Sequence, residues 1–177
     1  MADRYLRNKD LIDQSRLDKI TVIGAGGIGS SLLQSATIMG FKQITVWDDD
    51  MLEEHNLSTT SWPEEHLGNA KVTAALRTME KLNSKCKIIT KPWYWQTGHP
   101  LDNKVFLTPD NMECRLAVYN QWKQNPKREF LIDMRMGALG YEIITVTRES
   151  DYFMESYVPS SKIADDPCTA KHTIFCG

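Results

Sequence analysis

Six residues near the start of the chain, Gly24-Ala25-Gly26-Gly27-Ile28-Gly29, fit the pattern G-x-G-x-x-G, which is suited to holding a phosphate. The first glycine permits a tight turn, the second lets phosphate approach the backbone, and the third lets the following helix pack closely. The helix N-terminus then offers unpaired N–H groups and a partial positive charge. Asp48 closes the next apolar run, and an acid about 20 residues beyond such a loop accepts hydrogen bonds from a ribose hydroxyl. These residues point to a bound nucleotide, though not to which one.

The elements that position them follow from the apolar spacing. Ile20–Ile23 reads as a buried strand before the glycines, and Ser30–Met39 as a helix stopped by Gly40. Gln43–Trp47 is a second strand, followed by Asp48-Asp49-Asp50 and a polar loop. A helix is expected over 69–82, with Val72, Ala75, Leu76 and Met79 on one face. Lys87–Thr90, Lys104–Leu107 and Phe130–Met134 read as strands, 91–100 as loop and Met112–Trp122 as a helix. After a turn at 137–140, Tyr141–Thr147 alternates like a half-exposed strand paired antiparallel with its neighbour. The expected fold is α/β: a Rossmann-like, doubly wound, mostly parallel sheet with an antiparallel strand near the C-terminal end. The divisions are an arm at 1–17, a nucleotide-binding domain at 18–149 and an extension at 150–177.

Bulk properties exclude other classes. The 177 residues suffice for one domain with a real core. A net charge of −2 with no basic block disfavours nucleic acid or an anionic membrane as partner. No stretch is long and apolar enough to span a bilayer, and the charged N-terminus is unlike a signal peptide, so a cytoplasmic setting is expected. Cys86, Cys114, Cys168 and Cys176 form no Cys-x-x-Cys pair and read as isolated thiols.

Beyond the second strand lie Asp48-Asp49-Asp50, Asn56-Leu57 and Gly68-Asn69-Ala70-Lys71, with Asp110-Asn111 and Arg115 later and Arg4-Tyr5-Leu6-Arg7-Asn8 near the start. In this order they resemble the motifs of the ThiF/MoeB/ubiquitin-activating adenylation superfamily: R-Y-x-R-Q, D-x-D, N-L, G-x-x-K and D-N. The resemblance runs from Arg4 to about Thr147 and implies ATP and Mg²⁺ as cofactors. In the implied roles Asp48 holds the ribose and Asp50 belongs to the same nucleotide-binding set. Asn56 and Lys71 contact phosphates, and Asp110 binds Mg²⁺ near the α-phosphate. Arg7 reaches the terminal phosphate from the neighbouring subunit of a homodimer. The implied substrate is a small ubiquitin-like or sulfur-carrier protein whose C-terminal glycine carboxylate is adenylated. Singly, each residue has a plainer reading: a solvated lysine for Lys71, a helix cap for Asp110, a turn residue for Asn56.

Adenylation suits such a residue set. The substrate carboxylate is already ionised at neutral pH, so no general base is required. Catalysis reduces to alignment at the α-phosphorus and neutralisation of departing pyrophosphate. His55, His66, His99 and His172 show no metal spacing. Thr59 stands where the family carries an arginine, and Arg77 or, less readily, Arg115 is the candidate replacement. The paired Cys-x-x-Cys zinc ligands of many bacterial members are absent. Pro167-Cys168-Thr169 resembles the thioester-forming region of eukaryotic ubiquitin-activating enzymes, and Lys171 or His172 nearby would favour a thiolate. The alternative is an inert thiol. The end at Gly177 reads as a short or truncated member. Two rival readings stay open: an NAD-dependent oxidoreductase, and a non-catalytic nucleotide-binding family member.

Overall fold

The computed structural model describes residues 4–8, 10–137 and 140–159. Six strands form one sheet: β1 (Lys19–Ile23), β2 (Gln43–Trp47), β3 (Lys87–Lys91), β4 (Lys104–Leu107), β5 (Phe130–Gly137) and β6 (Gly140–Val146). Their spatial order is β3-β2-β1-β4-β5-β6. The pairs among β1 to β5 are parallel, and β5–β6 is antiparallel. The chain winds outward from β1 in one direction and then from β4 in the other. That reversal between β1 and β4 opens a crevice at the carboxyl ends of the strands. The doubly wound, mostly parallel architecture expected from the sequence is present.

Helices α1 (Gly27–Met39) and α2 (Lys71–Leu82) cover one face, and α3 (Met112–Gln124) the other. On the first face Leu33, Ala36, Ala75 and Met79 pack on Ile20, Val22, Ile44 and Val46. On the second, Val118, Tyr119 and Trp122 meet Ile23, Val105, Leu107 and Leu131. Because strand side chains alternate in direction, each run of apolar residues feeds both cores at once.

The element boundaries differ from the sequence reading in physically informative ways. Helix α1 starts at Gly27, three residues before the expected start. Gly27 and Gly29 are poor helix formers, so periodicity does not register them, but tertiary packing makes them helical. Gly40 ends α1 in the left-handed region at φ 109°, as expected. Strand β5 extends past Met134 to Gly137, held by its pairing with β6. A single helical turn, α4 (Phe153–Ser156), falls in a segment that shows no periodicity in the sequence. The buried Phe153 stacks on Tyr119 at 4.2 Å, and the Tyr119 hydroxyl donates to Asp151 at 2.7 Å.

A candidate nucleotide site at the strand ends

Strand register brings the expected loops together. Ile23 aligns with Trp47 and with Leu107, so the residues following β1, β2 and β4 emerge side by side. Gly24 has φ +99°, and its N–H donates to Trp47 O at 2.8 Å. A Cβ there would lie 2.7 Å from both the carbonyl carbon and the oxygen of Thr108. Thr108 is fully buried, and its hydroxyl donates to the carbonyls of Ile23 and Gly24 at 3.0 and 2.9 Å. The glycine loop is therefore clamped from below. Thr108 escapes the sequence reading because a threonine after an apolar strand carries no distinctive signal.

A cavity of about 700 Å³ lies over this loop, a size suited to a small ligand. Gly24, Gly26, Gly27, Asp48, Asp50, Asn56, Lys71 and Asp110 all line it. Gly29 does not. Its Cβ would fall 2.3 Å from Gly24 O, so it permits close packing of α1 rather than contact with a ligand.

The charges inside this cavity are interdependent. Asp48 accepts from Ala25 N–H at 2.7 Å and from Asp50 N–H at 2.9 Å, which joins the end of β2 to the glycine loop. Burial pushes its carboxyl above the ordinary range, against the pull of the Lys71 ammonium and of those two N–H groups. Lys71 is the first residue of α2. Its backbone N–H donates to Asp50 O at 2.8 Å and its Nζ to Asp50 Oδ2 at 2.7 Å, so one aspartate holds both ends of the residue. Burial works to lower the Lys71 pKa, but the carboxylates of Asp48, Asp50 and Asp110 outweigh it and hold the ammonium above its ordinary value. The solvated-lysine reading of Lys71 is corrected: its side chain is only 9% exposed.

Asp110 is exposed at the rim, and the residue that caps α3 is Asn111, whose side chain accepts from Cys114 N–H at 2.8 Å. The helix-cap reading of Asp110 is thereby replaced. Asn56 does serve a turn: its Oδ1 accepts from Glu53 N–H at 2.9 Å. That bond occupies the carbonyl and fixes the amide, so the NH₂ group is the part suited to an anionic ligand.

Neither candidate for the missing arginine stands in the cavity. Thr59 lines it and donates to Asn56 O at 3.1 Å. Arg77 is exposed on α2 and absent from the cavity wall. Arg115 is buried, bound to Asp133 and to the carbonyls of Pro109 and Met134. It anchors α3 to β5. Arg7 also lies outside its own chain's cavity. The arm packs at the far end of the helices, where Tyr5 meets Gly40 and Arg4 donates to Leu82 O and Asn83. The length of α1, 13 residues at ~1.5 Å each, puts that end about 20 Å from the glycine loop. Cys86 and Cys114 are free and buried, in keeping with isolated thiols. Cys168 lies outside the described residues, as does Cys176.

Among the lining residues to which the sequence reading gives no role at the site are Trp47, Tyr94, Trp95, Thr108 and Cys114. Tyr94 and Trp95 come from the 91–100 loop, whose composition gives no sign that it folds against the strand ends. The lining thus combines glycine N–H groups, hydroxyls and Lys71, suited to phosphates, with the aromatic rings of Trp47, Tyr94 and Trp95.

The ThiF family profile matches residues 5–128. The SUMO-activating enzyme subunit 2 of Dictyostelium discoideum is 34% identical over 94 residues, covering 50% of this chain and 14% of that protein. The ubiquitin-like modifier-activating enzyme 5 of Culex quinquefasciatus is 31% identical over 123 residues, 60% of this chain and 31% of that protein. The chain thus spans a third or less of the length of these relatives. Among solved structures, Escherichia coli MccB with ATP superposes with a TM-score of 0.67 at 20% identity, over 85% of this chain and 50% of that one. The E. coli tRNA N6-threonylcarbamoyladenosine dehydratase TcdA gives 0.68 at 17%, over 78% and 62%; these likenesses are of fold. With its glycine loop, Asp48, Lys71 and Asp110 gathered on one cavity, and with the family profile matched over most of its length, the chain belongs to the ThiF family of the E1-like adenylation superfamily.

Proposed function

We propose that this chain binds ATP and adenylates the C-terminal glycine carboxylate of a small ubiquitin-like or sulfur-carrier protein, releasing pyrophosphate. The observation that carries this reading is the convergence of Lys71 and Asp110 with the glycine loop. An NAD-dependent oxidoreductase explains the glycines and Asp48, but gives Lys71 and Asp110 no purpose. In the adenylating reading the loop N–H groups and Lys71 hold the phosphates, with Lys71 exchanging Asp50 for a phosphate oxygen. Asp48 orients the ribose, and the Asn56 amide donates to a phosphate. The substrate carboxylate forms its bond to the α-phosphorus as the bond to pyrophosphate breaks.

The described residues contain no cluster of three metal-binding side chains. Magnesium needs none: it is held through one or two carboxylates together with phosphates. Asp110, an exposed carboxylate on the cavity, fits that part, and the ion would neutralise charge on the departing pyrophosphate. Arg7 would act in the site of a second copy, since it lies far from its own. The Cys168 thiolate would attack the acyl carbonyl of the adenylate, forming a thioester as the bond to phosphate breaks and AMP leaves. No described helix can cross a membrane, and the proposed setting is cytoplasmic.

The test is ATP–pyrophosphate exchange that depends on a partner ending in Gly-Gly, together with equilibrium binding of ATP and NAD. Tighter NAD binding would overturn the assignment. Because no arginine among the described residues lines the cavity with Thr59, a second reading is supported: a family member that binds nucleotide without turnover. ATP binding with no exchange for any partner tail selects it. For Cys168 the measurement is a reducible adduct with the activated partner, lost in Cys168→Ala.

A further inference from the structure

The charges on the cavity are unfavourable to a triphosphate. Asp48, Asp49, Asp50 and Asp110 line it, and among the described residues the basic side chains on its wall are Lys71 and His55. Lys71 is already engaged by Asp50 at 2.7 Å. A triphosphate brings more negative charge, which carboxylates at close range repel. Thr59 stands where the family has an arginine, and neither Arg77 nor Arg115 lines the cavity.

His55 is placed to supply the lacking cation. It shares one short folded segment with Asn56 and Thr59. Thr59 N–H and Thr60 N–H donate to Asn56 O at 3.0 and 2.8 Å, and the Ser58 hydroxyl donates to His55 O at 3.2 Å. Glu53 orders the segment twice: its Oε2 lies 3.3 Å from His55 Nδ1, and its N–H donates to Asn56 Oδ1 at 2.9 Å. That carboxylate favours a proton on Nδ1. In a neutral ring Nε2 then carries a lone pair, which repels phosphate oxygen, whereas in the imidazolium it carries a donor N–H. The ring is 74% exposed, open to solvent protons and to a ligand in the cavity.

We propose that His55, as an imidazolium paired with Glu53, donates through Nε2 to the outer phosphates of ATP and so replaces the charge of the family's arginine. The proposal rests on the ATP reading above and adds a proton-dependent phosphate contact. The charged groups around it are Glu53 and Glu54 on its own segment, Asp48, Asp49 and Asp50 after β2, Lys71 on α2 and Asp110 after β4. Binding of the phosphates draws a proton from solvent onto His55. ATP affinity therefore rises as pH falls through the range where histidine gains its charge.

The test measures equilibrium binding of ATP and of AMP, which lacks the outer phosphates, at pH 6 and pH 8.5 with magnesium in excess. His55→Gln keeps a neutral donor and removes the charge. It should weaken ATP by about tenfold at pH 6, weaken it far less at pH 8.5, and leave AMP unchanged at both. Thr59→Arg in the His55→Gln background should restore tight ATP binding and make it independent of pH. His55→Gln with wild-type ATP affinity at both pH values would overturn the proposal. So would equal weakening of ATP and AMP, which marks a merely structural role. Failure of the wild type to bind ATP at either pH would instead overturn the adenylation reading, and this inference with it.

Discussion

Replacing Lys71 by methionine tests the electrostatic core of the site. Methionine matches the length of the lysine stem and forms helices well, so α2 should keep its first turn. What disappears is the ammonium that interacts with Asp48, Asp50 and Asp110. Removing one partner of a fully buried ion pair costs about 3–5 kcal/mol, and an exposed pair is worth about 0–1 kcal/mol. Here Lys71 is 9% exposed and Asp50 63%, so solvent screens one side and about 1–2 kcal/mol is expected. For a chain of this size that corresponds to a melting temperature lower by roughly 2–8 °C. The pH dependence has a definite sign. In the wild type the folded pKa of Lys71 lies above its ordinary 10.5. Its contribution is therefore complete below that value and is lost only as pH rises through the folded pKa. In Lys71→Met, Asp48 loses its opposing cation, so its already raised pKa climbs further above 3.8. Protonation of Asp48 then favours the folded state. The deficit of the variant should narrow as pH falls toward the folded pKa of Asp48 and widen above it. Thermal melts from pH 8 downward toward the ordinary carboxylate range follow the Asp48 effect, and ATP binding at pH 8 follows the loss of the cation. ATP–pyrophosphate exchange should fall by about 10²–10³. A variant that melts like the wild type at every pH and binds ATP equally well would refute the charge arrangement described.

Three further outcomes are expected. Gly24→Ala adds a Cβ at 2.7 Å from Thr108 backbone at a position with φ +99°; a loss of about 1–3 kcal/mol from backbone strain, with further loss from the clash, should appear in urea denaturation alongside weakened ATP binding. Arg115→Met leaves Asp133, fully buried, with Arg135 alone; the expected cost is about 3–5 kcal/mol, and a stability within 1 kcal/mol of wild type by chemical denaturation would contradict an anchoring role. Asp110→Ala removes an exposed carboxylate while Asn111 still caps α3; the melting temperature should hold while magnesium-dependent exchange drops by about 10²-fold or more, and exchange at the wild-type rate would remove Asp110 from the metal role.

Much of the architecture was legible because it is written in local periodicity. β1, β2, β4 and the body of α2 follow from apolar spacing, and the antiparallel β6 from its alternation. The first turn of α1 was not legible, since glycines carry no helical signal and become helical only where Gly29 must pass within reach of Gly24 O. Nor was α4, whose single turn exists because Phe153 stacks on Tyr119.

The sequence alone located the glycine-loop part of the candidate site, because a tight turn, a helix N-terminus and an acid at the next strand end are local features with fixed spacing. It also contained Lys71 and Asp110, but only as motif members with plainer readings beside them. Their meeting is a tertiary result: parallel register aligns the ends of β1, β2 and β4, and Asp50 ties Lys71 to the end of β2. The same holds for the aromatic lining, where β3 pairs with β2 and the 91–100 loop that follows brings Tyr94 and Trp95 onto the cavity. It holds too for Arg115, which sequence order set among the motif residues and burial against Asp133 turned into a structural anchor. Local chemistry is encoded by neighbours along the chain, whereas partners and solvent exposure are decided by which strand ends the sheet brings together.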